Sequence, residues 1–200
     1  MRNIKLTIEY DGTSYHGWQA QAGSGMPTIQ ETLEHAIREL TGEQISLVSS
    51  GRTDAGVHAM GHVANFLTDK TIPAAAWAPA LNQRLPADIR VLVSEEVSRA
   101  FHSRFSALGK IYQYRILNRR TPSPLLRDRV WHVERSLRLA AMRRSASVLI
   151  GRHDFSAFRS SGCAARSPVR TLSSIEVRKN GDLVLVTLEA DAFLMHMARN

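Results

Sequence analysis

Along the first ten residues Ile4, Leu6, Ile8 and Tyr10 alternate with Lys5, Thr7 and Glu9. A period of two is that of a strand with one buried face, and Asp11-Gly12 supplies a turn to end it. Thr28-Ile29-Gln30-Glu31 has the spacing of a capping box, and Ile29, Leu33, Ala36, Ile37 and Leu40 follow as one helical stripe that Gly42 closes. Strand-like apolar runs from Ile45 to Val48 and from His62 to Phe66 come next. Pro73 then opens a predicted helix through Trp77 and Leu81, and Ile89 to Val93 predicts another strand.

The second half mixes the same kinds of element. From Ser106 to Asn118, Ile111, Gln113 and Arg115 alternate with Tyr112, Tyr114 and Ile116, so the two tyrosines share a strand face. Arg119 to Pro124 holds two prolines beside adjacent charge and reads as a linker. Ser136 is placed to cap a helix carrying Leu137, Ala140, Ala141, Val148 and Leu149, which Gly151 ends. Ser173 to Val177, Asn180-Gly181 and Leu183 to Ala190 predict a β-hairpin with a type I′ turn. The pattern as a whole predicts an α+β fold of two tandem α/β subdomains with mostly antiparallel sheets, residues 1–107 and 108–200.

Composition narrows the partner. Of 200 residues, 44% are hydrophobic, enough to pack a core, and the net charge of +8 favours nucleic acid or an acidic membrane surface. No run approaches the roughly 18 to 20 apolar residues of a membrane span, and the opening residues carry no signal-peptide block. The expectation is a soluble cytoplasmic protein with no place in a membrane. Cys163 is the sole cysteine, which excludes an internal disulfide and a Cys-rich zinc site.

The densest chemistry lies in Ser49 to Ala59, between the two apolar runs at 45–48 and 62–66. Gly51 and Gly56 suit an irregular loop, and within it stand one carboxylate (Asp54), one guanidinium (Arg52), three hydroxyls (Ser49, Ser50, Thr53) and one imidazole (His58). By residue type this is either a site or a polar turn whose Asp bonds its own backbone. An anion nest built on Arg52-Thr53 would have Asp54 as the wrong sign. Asp54, His58 and His62 would share a helix face as metal ligands, but Gly56, Gly61 and the following β-like run disfavour that helix.

Other stretches suit RNA. Ser14, Tyr15, His16, Trp18, Gln19 and Gln21 offer polar and aromatic groups for sugars and bases, or else Trp18 folds onto the core. Tyr112 and Tyr114, with Lys110, Arg115, Arg119 and Arg120, either stack bases beside neutralised phosphates or pack as core with a solvated basic edge. The arginines at 135, 138, 143, 144 and 152 either add phosphate attraction or are solvated.

Gly51-Arg52-Thr53-Asp54-Ala55-Gly56-Val57-His58-Ala59 resembles the signature of the tRNA pseudouridine synthase A (TruA) family, in which the Asp is the catalytic nucleophile. Tyr10-Asp11-Gly12-Thr13 with Gly17-Trp18-Gln19-x-Gln21 is similar to the family's amino terminus. Phe101-His102-x-Arg104-Phe105-Ser106-Ala107 with Lys110-x-Tyr112-x-Tyr114 resembles its middle. His153-Asp154-Phe155-x-Ala157-Phe158 and Phe193-Leu194-x-His196-Met197-x-Arg199-Asn200 resemble later motifs. The matches run in order along essentially the whole chain.

The resemblance implies a pseudouridine synthase-like fold of two related subdomains flanking a basic RNA cleft. It implies isomerisation of uridine to pseudouridine at positions 38 to 40 of the tRNA anticodon stem-loop, by a cytoplasmic homodimer. The reaction needs no cofactor and no metal. Asp54 is then the nucleophile. Arg52 is the candidate to hold the unstacked base or fill its gap, Tyr112 packs against the uracil, and Lys110 and Arg115 bind substrate. Arg199 stands at the family's basic position that pairs with the nucleophile. The rival reading is a tRNA-binding or RNA-folding protein without chemistry, and a third is a metal-dependent nuclease using Asp54, His58 and His62.

At the end of the chain Asp191 is placed to cap a helix with Phe193, Leu194, Met197 and Ala198 as its apolar face and Arg199 on the same element. No stop signal follows before Asn200, and the family's motif normally continues into further elements. The expectation is therefore a truncated form, folding in large part but weakly active or inactive.

Overall fold

The computed structural model describes residues 1–19, 25–163 and 165–200. The chain divides into two compact units, Met1–Ala107 and Leu108–Asn200. In the first, alternation decides everything around β1 (Arg2–Tyr10): Ile4, Leu6, Ile8 and Tyr10 are all buried on one face. This strand is central, pairing antiparallel with β3 (Ala59–Thr68) on one side and β4 (Ile89–Val97) on the other. The two-residue β2 (Val48–Ser49) adds to β3, giving the order β2-β3-β1-β4.

Helix α1 (Ile29–Thr41) forms where its signals lie. Thr28 accepts the Glu31 N–H at 3.3 Å and donates its hydroxyl to the Glu31 carboxylate at 2.7 Å, while the Thr28 N–H donates to the same carboxylate at 3.2 Å. Gly42, at φ 75°, ends the helix in the left-handed region. Ile29, Leu33, Ala36 and Ile37 are buried in one core with Trp18, Phe66, Trp77 and Leu81. The predicted second helix begins as a 3-10 turn (Ala74–Ala76) and continues as α2 (Trp77–Asn82). Ser94 on β4 pins it, accepting the Ala78 N–H at 2.9 Å and donating to the Ala74 carbonyl at 2.7 Å.

The second unit holds β5 (Lys110–Asn118), β6 (Trp131–Val133), α3 (Leu139–Ser147), β7 (Gly151–Asp154), β8 (Val169–Asn180) and β9 (Leu183–Ala190). Its sheet runs β6-β5-β9-β8-β7, antiparallel except between β5 and β6. The fold is α+β with mostly antiparallel sheets. Among the described residues no helix is long and apolar enough to cross a membrane.

Several expectations give way. The strand expected from Ile45 is only Val48–Ser49, because the Leu47 N–H donates to the Glu34 carboxylate at 2.8 Å and leaves no ladder bond there. Arg119–Pro124 is a connection inside the second unit rather than a linker between units, with the Arg119 carbonyl 2.8 Å from His132 Nε2. Ser136 caps nothing. Helix α3 starts three residues later, behind Arg138, and Gly151 opens β7. The hairpin forms, but Asn180 pairs with Leu183, so the central residues are Gly181 and Asp182 and only Gly181 has positive φ. That is the type II′ pattern, not I′.

No helix follows Asp191. Its carboxylate accepts N–H groups of Thr171 (3.1 Å) and Ala192 (2.6 Å), and the chain then runs in turns, with His196 at φ 62°. A residue in that region interrupts a right-handed helix. The apolar positions are still used, since Leu194 and Met197 are buried against Phe155 and Leu172.

Thr28→Ala removes the two hydrogen bonds of the hydroxyl at a fully buried cap and keeps the one its backbone N–H donates. It should destabilise the protein by about 1 to 2 kcal/mol, read as a lower midpoint in chemical denaturation with an unchanged slope.

Candidate active site

Residues 50–58 join β2 to β3 at the end of the first sheet. The loop is held from one side by the segment 10–18. Trp18 N–H donates to the Thr53 carbonyl at 3.0 Å, and Gly56 N–H donates to the Tyr15 carbonyl at 3.3 Å. Tyr10 and Thr53 share a hydroxyl hydrogen bond of 2.8 Å. His58 Nδ1 lies 3.0 Å from Asp11 Oδ1 and 3.2 Å from the Gly12 nitrogen. One ring nitrogen cannot donate to the first and accept from the second. The Gly12 N–H donates to Nδ1, and the Asp11 carboxylate lies beside the same ring nitrogen. Asp11 also accepts the Thr13 N–H and hydroxyl, at 3.1 and 2.6 Å.

Two glycines make this approach possible. A Cβ on Gly12 would stand 2.1 Å from the Val57 carbonyl oxygen, and one on Gly17 would stand 2.3 Å from that of Thr53. Gly17 also sits at φ 76°. The loop backbone therefore rests on bare backbone, closer than any side chain permits.

The polar groups of the loop divide into two kinds. Thr53 and His58 are tied to Tyr10 and Asp11, and the Ser49 hydroxyl donates to the Gly51 carbonyl at 2.8 Å. Arg52 and Asp54 are exposed. The arrangement presents one carboxylate and one guanidinium to solvent, two residues apart, on a frame fixed from behind. The metal reading loses its geometry. Residues 53–58 form no helix, His58 is engaged by Asp11, and His62 on β3 stacks on Trp18 with ring centroids 4.0 Å apart. Among the described residues no group of three or more His, Cys, Asp or Glu is arranged to hold a metal ion.

The aromatic residues offered to RNA in the segment 13–26 are corrected in part. Trp18 is 2% exposed and Tyr15 is 5% exposed, both within the core, and the Tyr15 hydroxyl donates to Asp88 at 2.7 Å. Burial and Asp88 together raise the Tyr15 pKa, keeping the phenol protonated. Ser14 is exposed, His16 and Gln19 are half-buried, and Gln21 lies outside the described residues.

In the second unit, strand alternation puts Lys110, Tyr112 and Tyr114 on one face of β5 and Arg115 on the other. This is the alternation read from the sequence, with Arg115 on the face opposite the two tyrosines. Tyr112 packs edge-on against Phe193 (4.8 Å), and Tyr114 packs beside Ile116, Val133 and Val186. Arg199 is exposed in the turn closed by its N–H donating to the His196 carbonyl at 2.8 Å.

What residue-type reasoning missed is the support, namely Tyr10, Asp11, Gly12 and Gly17. A signal existed, because Tyr10 continues the buried alternation of β1 and two glycines follow it within seven residues. Gly17→Ala should destabilise the protein by at least about 3 kcal/mol through overlap and strained φ. Gly61→Ala, whose added Cβ meets nothing within 4 Å, is the control in the same denaturation series. Matching midpoints for the two would show that the loop is not seated on Gly17.

Comparison with known proteins agrees with this geometry. A family model described as tRNA pseudouridine synthase matches residues 6–106 and 146–200. The tRNA pseudouridine synthase A of Acetivibrio thermocellus is 49% identical over 199 residues, covering 100% of this chain and 81% of the relative. The tRNA pseudouridine synthase A 2 of Clostridium tetani is 47% identical over 198 residues, 99% of this chain and 80% of its own. That of Geobacter sulfurreducens is 47% identical over 199 residues, with 100% and 81% covered. The chain belongs to the tRNA pseudouridine synthase A family.

Proposed function

We propose that Asp54 is the nucleophile with which this tRNA pseudouridine synthase isomerises uridine to pseudouridine, and that its targets are positions 38 to 40 of the anticodon stem-loop. The reaction breaks the N1–C1′ bond, turns the uracil in place and rejoins it through C5, with loss of the C5 proton. The observation that carries the reading is the exposed carboxylate of Asp54 on a loop whose neighbouring hydroxyls and imidazole are committed to holding it. A nucleophile must be ionised and placed, and a rigid frame limits the geometries it samples.

Arg52 serves the base that leaves the stack, a step worth a few kcal/mol of unpairing and unstacking. Tyr112 packs against the uracil, Lys110 on the same strand face neutralises phosphate, and Arg199 supplies a cation for the reacting centre, all on the match to the family's motifs. Arg115 points to the opposite face of β5 and serves RNA contact there. A cytoplasmic homodimer acting on tRNA completes the reading on the same support. A protein that only bound tRNA would have no use for Asp54, since a carboxylate weakens attraction to a polyanion.

The test is release of tritium from tRNA labelled at uracil C5. Asp54→Asn should lower turnover by roughly a thousandfold or more, the scale of losing a nucleophile, with tRNA affinity unchanged or slightly tighter. Retained tritium release in that variant would falsify the nucleophile assignment. EDTA should change nothing in the parent protein, and inhibition by it would revive a metal mechanism. Tyr112→Phe keeps the packing against Phe193 and loses one hydroxyl, whereas Tyr112→Ala loses both. The expected order of turnover is parent, then Phe, then Ala, and parent-like rates in both variants would make Tyr112 a core residue only.

A further inference from the structure

The stretch Phe101 to Ser106 has no part in the site above. It crosses the face of the first sheet opposite α1 and α2, the face that carries Asn3 and Asn65. A buried polar network fixes it there. Asn3 donates to the carbonyls of Ser98 (3.0 Å) and Phe101 (2.9 Å), Asn65 donates to Asn3 at 2.9 Å, and Ser103 donates both its N–H (2.9 Å) and its hydroxyl (2.7 Å) to Asn65. Beyond Ser103 the chain closes into a turn. The N–H groups of Phe105 and Ser106 both donate to the His102 carbonyl, at 2.9 and 2.8 Å, and the His102 N–H donates to the Ser106 hydroxyl at 3.1 Å.

This anchored turn displays a large ring to water. Phe105 is 77% exposed. The His102 ring lies against it at 4.3 Å and 31°, and the Arg104 guanidinium sits 5.8 Å from its centroid. Arg104 is itself exposed. An exposed phenylalanine held by buried hydrogen bonds loses little freedom when its open face is covered. The partner that offers a flat π-surface and an anion together is a nucleotide, and the chain's net charge of +8 has the matching sign.

We propose that the turn His102–Ser106 is a second RNA contact of this protein, in which an unpaired base of the tRNA stacks on Phe105 while Arg104 meets a neighbouring phosphate. It rests on the reading that tRNA is the substrate. The stacked base is not the reacting one. Val48, which leads into the 50–58 loop, pairs with Asn65, the residue that anchors the turn, so the contact holds RNA beside the loop without supplying a group to the reaction. It contributes to tRNA affinity and placement and not to bond making.

The experiment measures tRNA affinity across a salt series in the Asp54→Asn background, so that no turnover is needed. Phe105→Ala should weaken binding by about tenfold at every salt concentration, within the range of one base–aromatic stack, and leave the salt slope and thermal midpoint unchanged. Phe105→Tyr should restore affinity. Arg104→Gln should instead reduce the slope of log affinity against log salt by about one phosphate contact. Parent-like affinity in Phe105→Ala overturns the proposal, as does a loss of self-association in place of a loss of tRNA binding. A lowered thermal midpoint in Phe105→Ala also overturns it, because the ring would then be structural. Absence of tRNA binding by the parent protein overturns the functional reading itself and this contact with it.

Discussion

The loop that carries Asp54 depends on a contact between two stretches of backbone. Gly12 and Gly17 lie so near the carbonyls of Val57 and Thr53 that no Cβ fits. Side chains cannot mediate at that distance, so the loop is positioned by amide-to-carbonyl bonds and not by rotamers that exchange on fast timescales. The hydroxyl pair Tyr10–Thr53 and the Asp11–His58 contact then fix the loop's two flanks. Everything behind it serves the same end. Tyr10 is the last buried residue of β1, Trp18 is packed in the core against His62, and Thr28 fastens the start of α1.

This arrangement explains why the loop's chemistry looked richer from its residue types than it is. Three hydroxyls, an imidazole, a guanidinium and a carboxylate invite a concerted mechanism. In the structure the imidazole and Thr53 contact the side chains of Asp11 and Tyr10, Ser49 donates to the Gly51 carbonyl, and Asp54 and Arg52 are both exposed. Fixing a charged group in place beforehand lowers the reorganisation needed at the moment of reaction, and that is where preorganised sites gain most.

Local signals were legible where a local interaction decides the outcome. The capping box at Thr28, the stripe of α1 and the alternation of β1 each depend on residues a few positions apart, and each forms. Signals failed where a distant partner wins. Leu47 donates to Glu34 instead of to a neighbouring strand, Leu137 donates its N–H to Asn118 at 3.2 Å before α3 begins, and Asp191 binds Thr171 instead of capping a helix. Tyr15 and Trp18 failed for a related reason. An aromatic with a polar tip suits either a ligand or a core, and only the fold supplies Asp88 and His62 as their partners. For the 50–58 loop the motif was plain in the sequence, but its footing on Gly12 and Gly17 was not, since close approach is a property of two segments and neither shows it alone.

An exposed carboxylate on a protein whose substrate is tRNA raises a conflict of sign, and length scale resolves it. Attraction of tRNA depends on the summed field of many cations, here a net +8, in which one negative charge is a small subtraction. At physiological salt exposed charges are screened beyond about 8 Å. Asp54 therefore repels only phosphates that come within a few ångströms, while the cations that draw the RNA in act wherever phosphates meet them. An exposed carboxylate at Asp54 is thus compatible with the affinity that brings the substrate to the protein.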